Sequence, residues 1–122
     1  RKGTIDKPRY DETPVWTVDT LFYSEIKKDF CVKFIYYKFC MIDWMQYNEA
    51  SGVPSLNAHT IENVLATLPN LEEQTAIASI LSDMDDELEA LEQKLAKVRN
   101  IKQGMMQQLL TGRIRLPLEQ QP

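Results

Sequence analysis

The longest regular pattern of apolar positions lies between residues 71 and 110, where no Pro occurs and Gly104 is the only Gly. Apolar residues recur there at alternating steps of four and three, which is typical of a coiled-coil seam. A helix of about forty residues would be about 60 Å long, so its narrow apolar stripe predicts a partner helix. Lys102 is the one polar position in the seam, whose other members are Ile77, Leu81, Met84, Leu88, Leu91, Leu95, Val98, Met105 and Leu109.

The first part of the chain has a more mixed pattern. Residues 15–23 are dense in β-branched and aromatic side chains, which predicts a strand, and we expect a second, brief strand ending at Pro69. Apolar residues at three- and four-residue spacing predict a helix over about 30–41 with Asp29 as its cap. The turn residues after Ala50 end this pattern. These elements predict an α+β fold with a small mixed domain before the long helix.

A short helix is predicted between the turn and the long helix. Asn57 and Thr60 are both residue types that cap helices, and either would begin a helix that reaches about Val64.

Composition and length indicate an ordinary folded protein. The 122 residues are 43% hydrophobic and 26% charged, values typical of one compact, soluble unit. No apolar run approaches the roughly 18 residues that a membrane span needs, and the first residues do not resemble a signal peptide. We therefore expect a cytoplasmic protein, with Cys31 and Cys40 as reduced structural thiols.

The net charge of −4 conceals blocks of opposite sign. Residues 71–93 contain eight acids and no base, whereas residues 94–115 contain six bases and no acid. An antiparallel copy, or a related helix, would set the acidic half against the basic half. The alternative is a solvated face whose charges suit only solubility and the helix dipole.

No constellation of residues indicates catalysis. His59 is the only histidine, and there is no nucleophile elbow, zinc-binding HExxH, Walker loop or glycine-rich cofactor loop. The acids Asp83, Asp85 and Asp86 do not share one face of a helix, so we interpret them as solvated. We predict a chain that is not an enzyme and that holds no cofactor and no metal.

Two groups of residues have the chemistry of DNA contacts. Four basic residues near the start suit phosphates, and a glycine between them would permit close backbone approach. Three polar residues flank the turn at Gly52 and would reach base edges. The alternatives are an exposed basic loop and, for Asn57, a helix cap. The candidates are Arg1, Lys2, Gly3, Lys7, Arg9, Ser51, Asn57 and His59.

Several segments resemble one known family. Residues 68–74, Ile77–Ala78, Asp83–Asp85 and 102–115 closely resemble, in order and spacing, the C-terminal repeat of the specificity subunits of type I restriction-modification systems. Upstream, residues 1–4, 22–23 and 51–57 look like the later half of the target-recognition domain in that family.

The resemblance implies a role in DNA recognition. Subunits of this family read the two halves of a split DNA sequence with two recognition domains, and long helices between them act as a ruler and dock the methyltransferase. It implies a partial target-recognition domain at 1–69, a spacer and dimerisation helix at 70–112 and a tail at 113–122. Expected partners are double-stranded DNA, the methyltransferase (modification) subunit, indirectly the restriction subunit, and a second copy through an antiparallel helix, with no membrane.

One departure from the family leaves a second function open. This sequence has one long helix where the family has two, and it begins inside a recognition domain, as expected of a truncated product, a gene remnant or a fragment. The alternative function is that of a self-associating half-subunit that docks the methyltransferase without reading DNA.

Overall fold

The computed structural model describes residues 1–118. It contains α1 (Val32–Met41), a 3-10 helix (Trp44–Tyr47), α2 (Ala58–Glu62) and α3 (Leu71–Leu110). The residues group into two compact units, Arg1–Ser82 and a second unit that begins at Asp83. Of the predicted tail at 113–122, residues 113–118 are not helical, and residues 119–122 lie outside the described part.

The predicted α+β class is wrong, because residues 1–118 contain no strand. Residues 15–23 lack regular structure, and Trp16 within them is 95% exposed. A strand needs a hydrogen-bonded ladder with a neighbour, whereas this segment is joined to the amino-terminal loop through one bond, from Lys2 N to Thr20 O at 3.0 Å. The residues before Pro69 are also irregular. The fold is therefore helical, with long connections that carry no regular structure.

The helices α1 and α2 occur where helices were predicted, but only one of the predicted cap residues is found. Asn57 caps α2, since its side-chain oxygen accepts the Thr60 N–H at 2.8 Å. Asp29 does not cap α1. The cap position is Cys31, whose own side chain makes no capping bond, because Lys27 and Phe30 close a turn just before it.

Gln74 supplies the side-chain hydrogen bond that the start of α1 does not receive from its own cap residue. The side-chain oxygen of Gln74 accepts the Cys31 N–H at 3.0 Å, and its amide group donates to Pro69 O at 2.8 Å. Gln74 is only 2% exposed. A buried amide side chain needs both a hydrogen-bond donor and an acceptor as partners, and Gln74 has both. Its bond to Cys31 links the beginning of α3 to the beginning of α1.

The apolar core of the first unit is small. Its buried members are Ile5, Phe34, Trp44 and Ala78. The Trp44 ring meets the ring of Phe39 edge to face, with 5.7 Å between centroids, and its indole N–H donates to Phe39 O at 2.8 Å. The 3-10 helix is thereby fixed against the end of α1.

The predicted forty-residue helix is present as α3. Asn70 accepts the Glu73 N–H at 2.9 Å, which satisfies one of the free donors of the first turn. The helix ends at Leu110, and the left-handed Gly112, with φ +70°, donates its N–H to Leu109 O, as is common at helix ends. Within residues 1–118, no helix has the length and apolarity needed to cross a membrane.

Candidate functional site

Three of the four predicted basic residues lie around one cavity in the first unit. Arg1, Lys2 and Lys7 line a cavity of about 260 Å³, and Arg9 does not. The three side chains are exposed to solvent. The first unit therefore presents concentrated positive charge at one concave place, which favours binding of an anion.

Backbone hydrogen bonds hold residues 1–9, the basic loop, in position. Gly3 donates its N–H to Pro54 O at 2.8 Å and adopts φ +88°, a conformation that side chains disfavour. A Cβ there would meet Val53 only at ordinary contact distance, 3.6 Å. The glycine thus serves the bend of the loop, and the bond to Pro54 brings the loop beside the turn at Gly52.

The remaining cavity wall combines aromatic and small polar side chains. Phe22, Phe39 and Trp44 supply the aromatic surface, and Asp19, Thr20, Ser24 and Ser55 supply acceptors and hydroxyl groups. Sequence reasoning missed these residues because they come from three separate segments, at 19–24, 39–44 and 55, that show no common spacing. Phe22 was interpreted as part of the predicted strand and of the family resemblance, Phe39 lay within the predicted helix over about 30–41, and Trp44 was given no role.

The polar candidates around the turn do not line the cavity. Both ends of the Asn57 amide are engaged, the oxygen by Thr60 N–H and the nitrogen by the Glu49 carboxylate. This is the helix-cap alternative, and a base contact would require Asn57 to release these partners. Ser51 and His59 are exposed, and the His59 ring nitrogens each lie 3.3 Å from Asn63 Nδ2.

A tyrosine follows the last basic residue of the loop. The Tyr10 hydroxyl donates to Glu12 Oε1 at 2.5 Å, and this bond, with a contribution from burial, raises the pKa of Tyr10 to about 12. Lys33 Nζ lies 5.6 Å from the centre of the Tyr10 ring, close enough for a cation–π contact. Beside it, hydrogen bonds from Thr13 lower the pKa of Asp11. The contact with Lys33 connects the end of the loop to α1.

The predicted seam of α3 is uncovered over most of its length. From Met84 to Val98, its apolar members are between 49% and 57% exposed. Ile77 and Leu81 are partly buried within the first unit, and Leu109 is partly buried near the helix end.

Among residues 1–118, no group of three or more His, Cys, Asp or Glu side chains is placed to hold a metal ion.

Comparison with known proteins decides the family. The family model described as type I restriction modification DNA specificity domain matches residues 2–100. The chain belongs to this family. It is also similar to the type I restriction enzyme MjaVIII specificity subunit of Methanocaldococcus jannaschii, with 36% identity over 63 residues, which are 52% of this chain and 15% of that protein. No solved structure matches the chain.

The family match confirms the predicted resemblance and extends it. In this specificity-domain chain the match begins at Lys2 and includes the cavity-lining residues apart from Arg1, the turn at Gly52 and α3 as far as Asn100. The family is described by DNA specificity and not by a catalytic activity, in agreement with the prediction that the chain is not an enzyme. The aligned relative is much longer, since the alignment spans 15% of its length.

Proposed function

We propose that this chain contributes DNA sequence recognition to a type I restriction-modification complex, with the first unit contacting double-stranded DNA. Membership of the DNA specificity family carries the proposal. The convergence of Arg1, Lys2 and Lys7 on one concave surface supports it, because cations held close together gain the most from neutralising phosphates.

Some of the DNA contacts would supply affinity and others would supply sequence specificity. Lys2 and Lys7 would bind phosphates, which fixes position but carries no sequence information. Arg1 has the two-pronged geometry that reads guanine. Ser51 and His59, exposed beside the adjoining turn, and Arg9 would add contacts at the edge of the same surface.

Salt dependence of DNA binding tests this proposal. Affinity of the chain for a pool of duplexes, measured by fluorescence anisotropy, should fall steeply with salt. Replacing Lys2 and Lys7 with Ala should reduce the log–log salt slope by about one unit for each lost contact. Replacing the exposed Lys27 and Lys28 with Ala is the matched control, because it removes the same charge away from the cavity. A slope that changes equally in both variants contradicts the assignment of the basic loop.

The long helix would serve as spacer and scaffold. We assign to α3 the docking of the methyltransferase subunit, through which the restriction subunit joins, and pairing with an antiparallel second copy. The half-exposed seam from Met84 to Val98 supports this role, since apolar positions at coiled-coil spacing are stabilised by a partner helix.

The second candidate is an interaction module that docks the methyltransferase without reading DNA. The uncovered seam and the net charge of −4 favour it, because overall negative charge opposes binding to DNA. Co-purification with a modification subunit, followed by binding to a random duplex pool, separates the two functions. Co-purification without DNA enrichment supports the module, and enrichment of particular sequences supports recognition.

A further inference from the structure

The cavity of the first unit has two chemically different parts. Phe22, Phe39 and Trp44 form apolar surface, whereas Lys2 and Lys7 supply positive charge. A phosphate alone would make no use of the aromatic wall, and a purely apolar ligand would make no use of the cations. The ligand that suits both parts has a flat apolar ring and an attached anion.

The size of the cavity limits which ligands of this kind it can hold. Its volume of about 260 Å³ is slightly below the roughly 300–1,000 Å³ of pockets for drug-sized ligands. A single nucleobase fits this size class and stacks on aromatic side chains whatever its sequence.

We propose that the cavity receives one unstacked DNA base, whose flanking phosphates contact Lys2 and Lys7. This inference rests on the proposed function and names a ligand site within it. The Asp19 carboxylate in the wall accepts hydrogen bonds and cannot donate them when ionised. Bases with an exocyclic amino group, adenine, cytosine and guanine, are therefore favoured over thymine.

Three duplexes of otherwise identical mixed sequence test the proposal. One is fully paired, one carries a single extrahelical adenine, and one carries an abasic residue at the same extrahelical position. Extruding a base costs least when that base is already unpaired, so the adenine bulge should bind about tenfold more tightly than the paired duplex. The abasic bulge should bind like the paired duplex, because it is flexible but has no base.

Neighbouring residues provide matched variants. Phe22→Ala should abolish the preference for the adenine bulge over the paired duplex, because Phe22 lines the cavity and is half-exposed. Tyr23→Ala should retain the preference, since Tyr23 is 66% exposed and does not line the cavity. Equal affinity for the adenine and abasic bulges, or equal effects of the two variants, overturns the proposal.

A direct titration makes the pocket testable apart from duplex binding. Deoxyadenosine monophosphate should shift the indole N–H NMR signal of Trp44, which lines the cavity, and leave that of Trp16, which is 95% exposed. A shift of Trp44 without binding to any duplex would support the pocket and contradict the proposed DNA function. Duplex binding without a Trp44 shift at millimolar nucleotide would overturn the pocket alone.

Discussion

At the scale of single residues, Gln74 is the most informative side chain. It is buried, and it bonds both the Cys31 N–H and the Pro69 carbonyl. Gln74→Leu keeps similar volume but leaves those two groups without their partner, so we expect it to lower the free energy of unfolding by about 1–3 kcal/mol. Urea unfolding measures this loss.

The control for Gln74 is a glutamine on the outer surface of the same helix. Gln93 is exposed and bonds only to Glu89, at 3.3 Å, among the described contacts. Gln93→Leu should change the free energy of unfolding by about 0.5 kcal/mol or less, as most surface substitutions do. Equal losses in both variants would contradict the linking role of Gln74.

Tyr10 carries a pH dependence of its own. Its pKa is raised to about 12 mainly by the bond to Glu12, so the neutral phenol is favoured in the folded chain. The stabilisation is present below the ordinary tyrosine pKa of about 10 and is lost as pH rises towards 12. In Glu12→Gln, NMR titration of the tyrosine rings should give a lower pKa for Tyr10, whereas Glu25→Gln should leave it unchanged.

At the scale of elements, the predicted strand shows what residue preferences omit. The residues of 15–23 have high β propensity, but that propensity expresses packing on a pleated, half-buried surface. In residues 1–118 this segment has no neighbouring strand, and Trp16 and Tyr23 remain largely exposed. Helices were predicted more reliably because their backbone hydrogen bonds are local.

Gly104 within α3 and Gly112 just after its end should respond oppositely to alanine. A Cβ at Gly104 would meet nothing within 4 Å, so Gly104→Ala should stabilise α3 by about 0.5–1 kcal/mol. Gly112 has φ +70°, where alanine is strained, so Gly112→Ala should destabilise the helix end by about 1 kcal/mol. Thermal melts followed by circular dichroism measure both effects. Stabilisation by both variants would contradict the left-handed helix end.

At the scale of the whole molecule, the seam of α3 has an approximate symmetry about Gln93. Each seam residue has a counterpart at the same sequence distance on the other side, and the charge changes sign there, between Glu92 and Lys94. An antiparallel second copy would place Lys102 opposite Met84, near the partner's acidic residues, whereas parallel pairing would place Lys102 opposite itself. The seam pairs are Ile77 with Leu109, Leu81 with Met105, Met84 with Lys102, Leu88 with Val98, and Leu91 with Leu95.

Disruption of the seam and cross-linking test this association. Replacing Leu88 and Leu95 with Asp should yield a monomer in light scattering, because both side chains would face the partner. Replacing the exposed off-seam Ala90 and Ala96 with Asp adds the same charge and should leave the dimer intact. A wild-type chain that is monomeric at tens of micromolar contradicts self-association.

Disulfide cross-linking measures whether the two α3 helices pair antiparallel or parallel. Two single-cysteine variants that lack Cys31 and Cys40 are mixed for this experiment. In the antiparallel register, Leu88→Cys in one copy should cross-link to Val98→Cys in another. Disulfides only between identical positions would show parallel pairing. Neither variant should cross-link to itself in the antiparallel dimer, since like positions then lie about 15 Å apart along the axis.

The sequence by itself determined the features whose physical causes are local or periodic. These are the span of α3, the presence of a short helix that begins near Asn57 and Thr60, the apolar stripe along α3 and the family resemblance. Only the tertiary structure decided that residues 15–23 form no strand, that Gln74 replaces Asp29 at the start of α1, and that Lys2 and Lys7 share a cavity with aromatic residues. Each of these depends on contacts between residues distant in the chain, whose partners no spacing or propensity specifies.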